Sequence, residues 1–268
     1  MKLAIAGKGG AGKTTLSAAL ARCLASQHRP VVAVDADPDG NLAVALGVPP
    51  ERQPQPIVEL RDLILHRTGA TDQGAGLMFT LNPKVDDLPD RFSVEAGGVR
   101  LLLLGTVQSG GKGCMCPESA VLKALMQHLL LRVPDDVILD MEAGLEHMGR
   151  ASARGVDALM TVVEPGMRSV QTAMRIATLA KDIGITRTFV VLNKVRQPSE
   201  VDLLERSLAG QTVLGVIPYD EQLGRADLNG RPLDLENPAF AAAVNGLLDA
   251  LRQRLPAAPQ IEPAANLS

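Results

Sequence analysis

Near its start the chain reads Gly7-Lys8-Gly9-Gly10-Ala11-Gly12-Lys13-Thr14-Thr15. A short apolar run, residues 3–6, precedes this stretch and predicts a buried strand. An Ala/Leu-rich run with helical spacing, residues 16–25, follows it. Strand, glycine loop and helix in that order form a phosphate cradle. The glycines let the backbone curl so that successive N–H groups point inward at an anion, and the helix aims its positive end at the same point. Lys13 then supplies a point charge for the β- and γ-phosphates of a nucleotide, and Thr14 a hydroxyl ligand for Mg²⁺. An ordinary Gly-rich turn does not require Gly7, Gly12, Lys13 and Thr14 at this spacing. Lys8 is the unusual member, a second lysine inside the loop; the simpler reading of it is a solvated loop side chain.

With 268 residues, the chain is long enough for one large α/β domain, predicted over residues 1–255. Residues 256–268 are Pro/Ala-rich and polar, and predict a disordered tail. Aromatic residues make up only 2 %, with no Trp, so Leu, Val, Ile and Ala must fill the core. The net charge of −3 argues against a nucleic-acid partner. No apolar run approaches the ~20 residues of a membrane span. The first strand starts at once, without a signal peptide, and three cysteines in so long a chain are no disulfide framework. A cytoplasmic location is therefore expected.

Further strands are predicted at 31–34, 77–81, 99–104, 137–140, 158–163, 188–192 and 213–217, with helical patterns between most of them. The alternation predicts an open, mostly parallel twisted sheet of about seven to eight strands with helices on both faces. In such sheets ligands bind beyond the carboxyl ends of the strands. Acidic residues stand at two of those ends. Asp35, Asp37 and Asp39 follow the second strand, where Asp39 is also placed to cap a helix starting near Asn41. Asp140 ends the run Val137-Ile138-Leu139-Asp140, the pattern that holds Mg²⁺ beside a phosphate loop. Gly144, shortly after, allows a backbone N–H to approach a γ-phosphate, so this loop is a candidate switch. Glu142, Glu146 and His147 beside it read equally as metal or partner contacts and as a solvated face. Asn193 and Lys194 end a strand near the nucleotide, where Asn193 can read an adenine amide edge. No acid stands two residues after Lys194, which favours ATP over GTP. Ser169 is placed to cap the helix that follows Glu164-Pro165.

Cys114 and Cys116 flank Met115 in a Gly-rich loop, just before a helix opened by Pro117. A helix N-terminus and the nearby Lys112 favour thiolate, and thiolates suit Zn²⁺ and other late transition metals. Two ligands do not close a tetrahedral site, but a two-fold dimer would supply two more. A redox pair, or two loop cysteines without a role, are the plainer readings. Cys23, among Ala and Leu in the first helix, reads as an apolar filler.

The Lys8 form of the loop resembles that of the MinD/ParA/nitrogenase iron protein class of ATPases. Together with Asp-Ala-Asp-Pro-Asp at 35–39, Cys-Met-Cys-Pro-Glu at 114–118, Asp-Met-Glu-Ala-Gly-Leu-Glu-His at 140–147, Val-Glu-Pro-Gly at 163–166, Leu-Asn-Lys-Val at 192–195 and Ile-Pro-Tyr at 217–219, the chain is similar to the CooC-type nickel-insertion ATPases within that class. The resemblance implies a homodimer closed by ATP and Mg²⁺, with Lys8 reaching across to the partner's nucleotide. It implies that Asp37 orients the attacking water and shares Mg²⁺ with Thr14 and Asp140. Pro218 and Tyr219 would wrap the adenine, and Cys114 and Cys116 of both subunits would hold Ni²⁺, or Zn²⁺ in vitro. The implied client is carbon monoxide dehydrogenase, with acetyl-CoA synthase as the close variant. A positioning ATPase of the MinD/ParA kind shares the loop, but would want a basic amphipathic tail or a DNA-binding surface. A nickel store without turnover would need the cysteines alone.

Overall fold

The computed structural model describes residues 1–268 apart from 38–39, 71–78, 106–115, 143–144, 146–147, 230, 232–236 and 256–268, and the side chains of 227–228. Along the chain come β1 (Lys2–Gly7), α1 (Lys13–Ser26), β2 (Val31–Ala36), α2 (Leu42–Ala45), α3 (Arg61–Thr68), α4 (Leu88–Phe92), β3 (Val94–Ala96), β4 (Val99–Leu103) and α5 (Pro117–Leu131). There follow β5 (Asp136–Met141), α6 (Arg150–Ala153), β6 (Ala158–Val163), α7 (Met167–Ile183), β7 (Thr188–Val195), α8 (Pro198–Ser207), β8 (Thr212–Pro218), α9 (Glu221–Leu228) and α10 (Pro238–Arg254). The strands form one eight-stranded sheet in the order β3-β4-β2-β5-β1-β6-β7-β8. Every neighbouring pair is parallel except β3 with β4. This is the architecture predicted from the alternating strand and helix patterns.

Parallel strands covered on both faces read as unbroken apolar runs, and the central strands do. Leu3 and Ile5 of β1 point into the layer under α1 and α10, while Ala4 and Ala6 point into the layer under α3, α5 and α7. Val31 and Ala33 of β2 join the first layer, and Val32, Val34 and Ala36 the second. A smaller third cluster packs α7 and α8 against β6 and β7. Small Ala side chains let α1 lie close against the sheet, where Ala18, Ala19 and Ala21 are fully buried.

Three details differ from the sequence expectation. The expected strand 77–81 is absent at 79–81, and residues 77–78 lie outside the described set. Leu81 is 59 % exposed in a bend, and the sheet edge beside β4 is taken instead by β3. That edge strand turns back on β4 through Gly97-Gly98, a two-residue hairpin. The helix after β6 starts at Met167, with Gly166 at its cap position; Ser169 sits inside the first turn and its Oγ accepts a hydrogen bond from Glu164 N–H at 3.1 Å. Among the described residues, no helix is long and apolar enough to cross a membrane.

Candidate functional site

The chain runs outward from β1 to β2, β3 and β4, then returns through β5 and crosses to the other side of β1. That reversal is a topological switch point, and the loop after β1 sits there. Its shape depends on two glycines. Gly7 has φ +152°, and a Cβ there would lie 2.6 Å from Val162 O; Gly12 has φ +97°, and a Cβ there would lie 2.3 Å from Asn193 Nδ2. Neither position accepts a side chain. Helix α1 opens at Lys13 with Gly12 as its cap and no side chain on its first amides. Its N-terminal N–H groups are thus left to an anion.

Above this loop lies a cleft of about 590 Å³. Gly9, Gly10, Gly12, Lys13, Thr14 and Thr15 form its floor. Asp37, Asn41, Val44 and Glu142 form one wall; Asn193, Lys194, Ile217, Tyr219 and residues of α9 form the other. Of the residues expected from sequence, Gly7, Ala11, Asp140 and Lys8 stand outside this lining, the first three behind it. Pro218 is exposed at the end of β8; Ile217 and Tyr219 line the cleft in its place. Gly144, Cys114, Asp39, Glu146 and His147 lie outside the described residues.

Lys13 is almost buried, and its Nζ lies 3.4 Å from Asp37 Oδ2. Asp37 in turn is placed by Asp35. One Asp35 oxygen accepts from Asp37 N–H at 3.1 Å, and the other caps α2 by accepting from Leu42 N–H at 2.9 Å. A single buried carboxylate therefore ties Asp37 to the start of α2. Asn41, at the cap position of α2, makes no side-chain cap.

Asp35 and Asp140 are register partners on β2 and β5, side by side and buried. Burial pushes the Asp140 carboxyl up to about 7, and the neighbouring Asp35 adds to the push against the Thr14 and Ser17 hydroxyls. Asp35 is raised to about 6, again chiefly by burial. Ser17 Oγ donates to Asp140 Oδ1 at 3.1 Å, whereas Asp140 Oδ2 is buried with no hydrogen-bond partner. An orphaned buried carboxylate oxygen beside a phosphate loop is costly unless something occupies it. A hard cation with oxygen ligands fits there, so the donor set of Thr14, Asp37 and Asp140 suits Mg²⁺.

Several side chains brace the loop and its walls, in ways that sequence reasoning missed. Asn193 Nδ2 donates to Ala11 O at 2.8 Å, so this amide nitrogen holds the loop. Lys194 Nζ donates to Gly10 O. Lys194 itself has φ +60°, in a stretch where the β7–β8 register shifts. Glu164 pairs with Lys8 at 2.8 Å. On the far wall the Arg196 guanidinium stacks 3.5 Å over the Tyr219 ring. Asp220 accepts from Asn237, which caps α10 through Ala239 N–H and Phe240 N–H and so ties that wall to the α1 layer. Side-chain bonds to loop carbonyls leave no pattern in a sequence, which is why Lys8, Asn193 and Tyr219 were singled out for nucleotide contacts and none of these braces was expected.

The free thiol of Cys116 sits at the cap position of α5, with its Sγ 3.2 Å from Ser119 Oγ. It is half-buried at a helix N-terminus, as expected. Among the described residues no cluster of three metal-ligating side chains occurs.

Residues 2–233 match the family described as the CobQ/CobB/MinD/ParA nucleotide binding domain. The chain is 43 % identical over 257 residues to the carbon monoxide dehydrogenase accessory protein CooC of Rhodospirillum rubrum, covering 95 % of this chain and 97 % of that one. It is also 43 % identical to an uncharacterized ATP-binding protein of Methanocaldococcus jannaschii, over 89 % of this chain and 93 % of that one. Among solved structures, the MinD cell division protein of Aquifex aeolicus superposes with a TM-score of 0.66 at 22 % identity, covering 95 % of this chain and 98 % of that one, a likeness of fold. With its phosphate cleft and its full-length likeness to CooC, the chain belongs to the CobQ/CobB/MinD/ParA nucleotide-binding family and, within it, to the CooC-type ATPases.

Proposed function

We propose that the protein is an ATP-hydrolysing nickel metallochaperone that works as a homodimer and matures the nickel–iron–sulfur active site of carbon monoxide dehydrogenase. The observation that carries this reading is its 43 % identity, spread over 95 % of the chain, to a carbon monoxide dehydrogenase accessory protein. The cleft chemistry supports the nucleotide half of it. Loop amides at the start of α1 would take the phosphates, and Lys13 would leave Asp37 for the β/γ-oxygens. The Asp37 carboxylate would accept a hydrogen bond from water and orient it in line with the γ-phosphorus. Thr14, Asp37 and Asp140 would hold Mg²⁺, which neutralises charge on the phosphate oxygens when bound. Lys8 of the second protomer would add positive charge as the bond to the leaving oxygen lengthens. The products are ADP and phosphate, and loss of the γ-phosphate removes contacts that hold the closed form.

Nickel is the cargo. Cys114 and Cys116 of each protomer would together give four thiolates, formed only when two chains meet. Metal and ATP then stabilise the same closed dimer, so each raises the affinity for the other. Release on hydrolysis would place Ni²⁺ beside the client site.

The test is activation of nickel-free carbon monoxide dehydrogenase by the protein, Ni²⁺ and ATP. Activation should depend on hydrolysis and be lost with Asp37→Ala. Equal activation by the Asp37→Ala protein would contradict coupling to ATP and leave a passive nickel store.

A further inference from the structure

Three neighbouring strands bring three charged side chains together at the rim of the cleft, Lys8 after β1 and Glu164 after β6 outside its lining and Lys194 of β7 in its wall. One Glu164 oxygen lies 2.8 Å from Lys8 Nζ, and the other 3.6 Å from Lys194 Nζ. The backbone holds Glu164 in place, since its N–H donates to Ser169 Oγ in the first turn of α7. Lys194 is equally constrained, with a left-handed backbone and its ammonium on Gly10 O. Lys8 alone among the three sits on the phosphate loop, and it is turned towards Glu164 while the cleft is lined by other residues.

A lysine held this way within its own chain does not reach a second chain. We propose that Glu164 is the resting counter-ion of Lys8, a positioning residue whose ion pair must open before two protomers close over nucleotide. This rests on the reading that the protein works as an ATP-closed dimer with Lys8 acting across the interface. Lys194 makes the opening cheap. When Lys8 leaves, Glu164 keeps a lysine at 3.6 Å, so no carboxylate is stranded. Half-exposed ion pairs are weak enough to serve as such a catch. Each closed dimer opens two of them, so the effect on association enters twice. Glu164 thus sets how readily the dimer forms while touching neither nucleotide nor metal.

The test is self-association by sedimentation with a slowly hydrolysed ATP analogue and Mg²⁺, alongside ADP affinity. Wild type is compared with Glu164→Gln, Glu164→Asp, Lys8→Ala and the Lys8→Ala/Glu164→Gln double variant. Removing the charge, or shortening the side chain, should lower the protein concentration for half-dimerisation by about three- to tenfold. Addition of Glu164→Gln to Lys8→Ala should have no further effect, because the residue acts through Lys8. ADP affinity of the two Glu164 single variants should stay at the wild-type value. An unchanged association in both Glu164 variants, an equal shift in the Lys8→Ala background, or a matching loss of ADP affinity would overturn the proposal. Wild type that stays monomeric with the analogue would overturn the dimer reading itself, and this role of Glu164 with it.

Discussion

Asp140→Asn should make the nucleotide-free protein more stable at alkaline pH. In the folded chain the Asp140 carboxyl is carried from 3.8 to about 7 by burial and by Asp35 beside it. A raised carboxyl favours the protonated folded state, so stability present below the unfolded value is lost as pH rises from about 4 through about 7. Relative to an unshifted carboxyl, this one group destabilises the fold by about 4 kcal/mol at about pH 8 and by about 1.5 kcal/mol at about pH 5. Wild type should therefore lose about 2.5 kcal/mol between those pH values on account of Asp140. Asn keeps an oxygen for the Ser17 hydroxyl, which lies 3.1 Å away, and carries no charge. The variant should remove most of the pH-dependent loss and relieve Asp35 as well. Urea unfolding at the two pH values, without Mg²⁺ or nucleotide, reads this directly. The same variant should lose the stabilisation that Mg²⁺ and ATP give to wild type. An Asp140→Asn protein with the wild-type fall in stability, or one destabilised most at the higher pH, would refute the reasoning.

Gly12→Ala should cost at least about 1–2 kcal/mol of stability, because its φ is positive and the new Cβ meets Asn193 Nδ2. It should also weaken ADP binding by more than about tenfold by displacing the Asn193 brace; calorimetry measures both, and wild-type affinity would show that the brace does not shape the loop. Asp136→Asn should destabilise by about 3–5 kcal/mol, since this buried carboxylate sits 2.6 Å from the Met1 ammonium and pairs with Arg29. Burial alone would raise the Asp136 pKa, but Arg29 and the N-terminus outweigh it, so its contribution holds above the ordinary value of 3.8 and is lost as pH falls below it. The variant should accordingly show a shallower acid transition.

The strands were legible because each central one is buried on both faces and so carries an unbroken aliphatic run, as Val31–Ala36 does. The phosphate loop was legible because two of its glycines are required by geometry, a constraint that leaves a spacing behind. The edge was harder. The run at 77–81 has the composition of a strand, but residues 79–81 join no strand of the sheet and Thr80 N–H donates to Thr68 O instead, while the three-residue β3 is too short to show a period. Its Gly97-Gly98 turn was the available signal. The carboxylates of the site were found from their places at strand ends. What positions them was not: Asp35 as the cap of α2, and Glu164 and Lys194 against the loop, meet their partners across sequence separations with no period to read. Ser169 looked like a cap, and its hydroxyl does bind a backbone amide, but from inside the first turn.

The most direct test of an interfacial nickel site is titration of the reduced protein with Ni²⁺, following thiolate-to-metal absorption and particle mass together. Wild type is run beside the Cys114→Ala/Cys116→Ala variant. The proposed function predicts one Ni²⁺ per two chains, dimer formation on binding, tighter binding with an ATP analogue, and loss of metal-driven dimerisation in the variant with ATP binding retained. Full-affinity nickel binding by the variant, or one Ni²⁺ per chain without dimerisation, would contradict it.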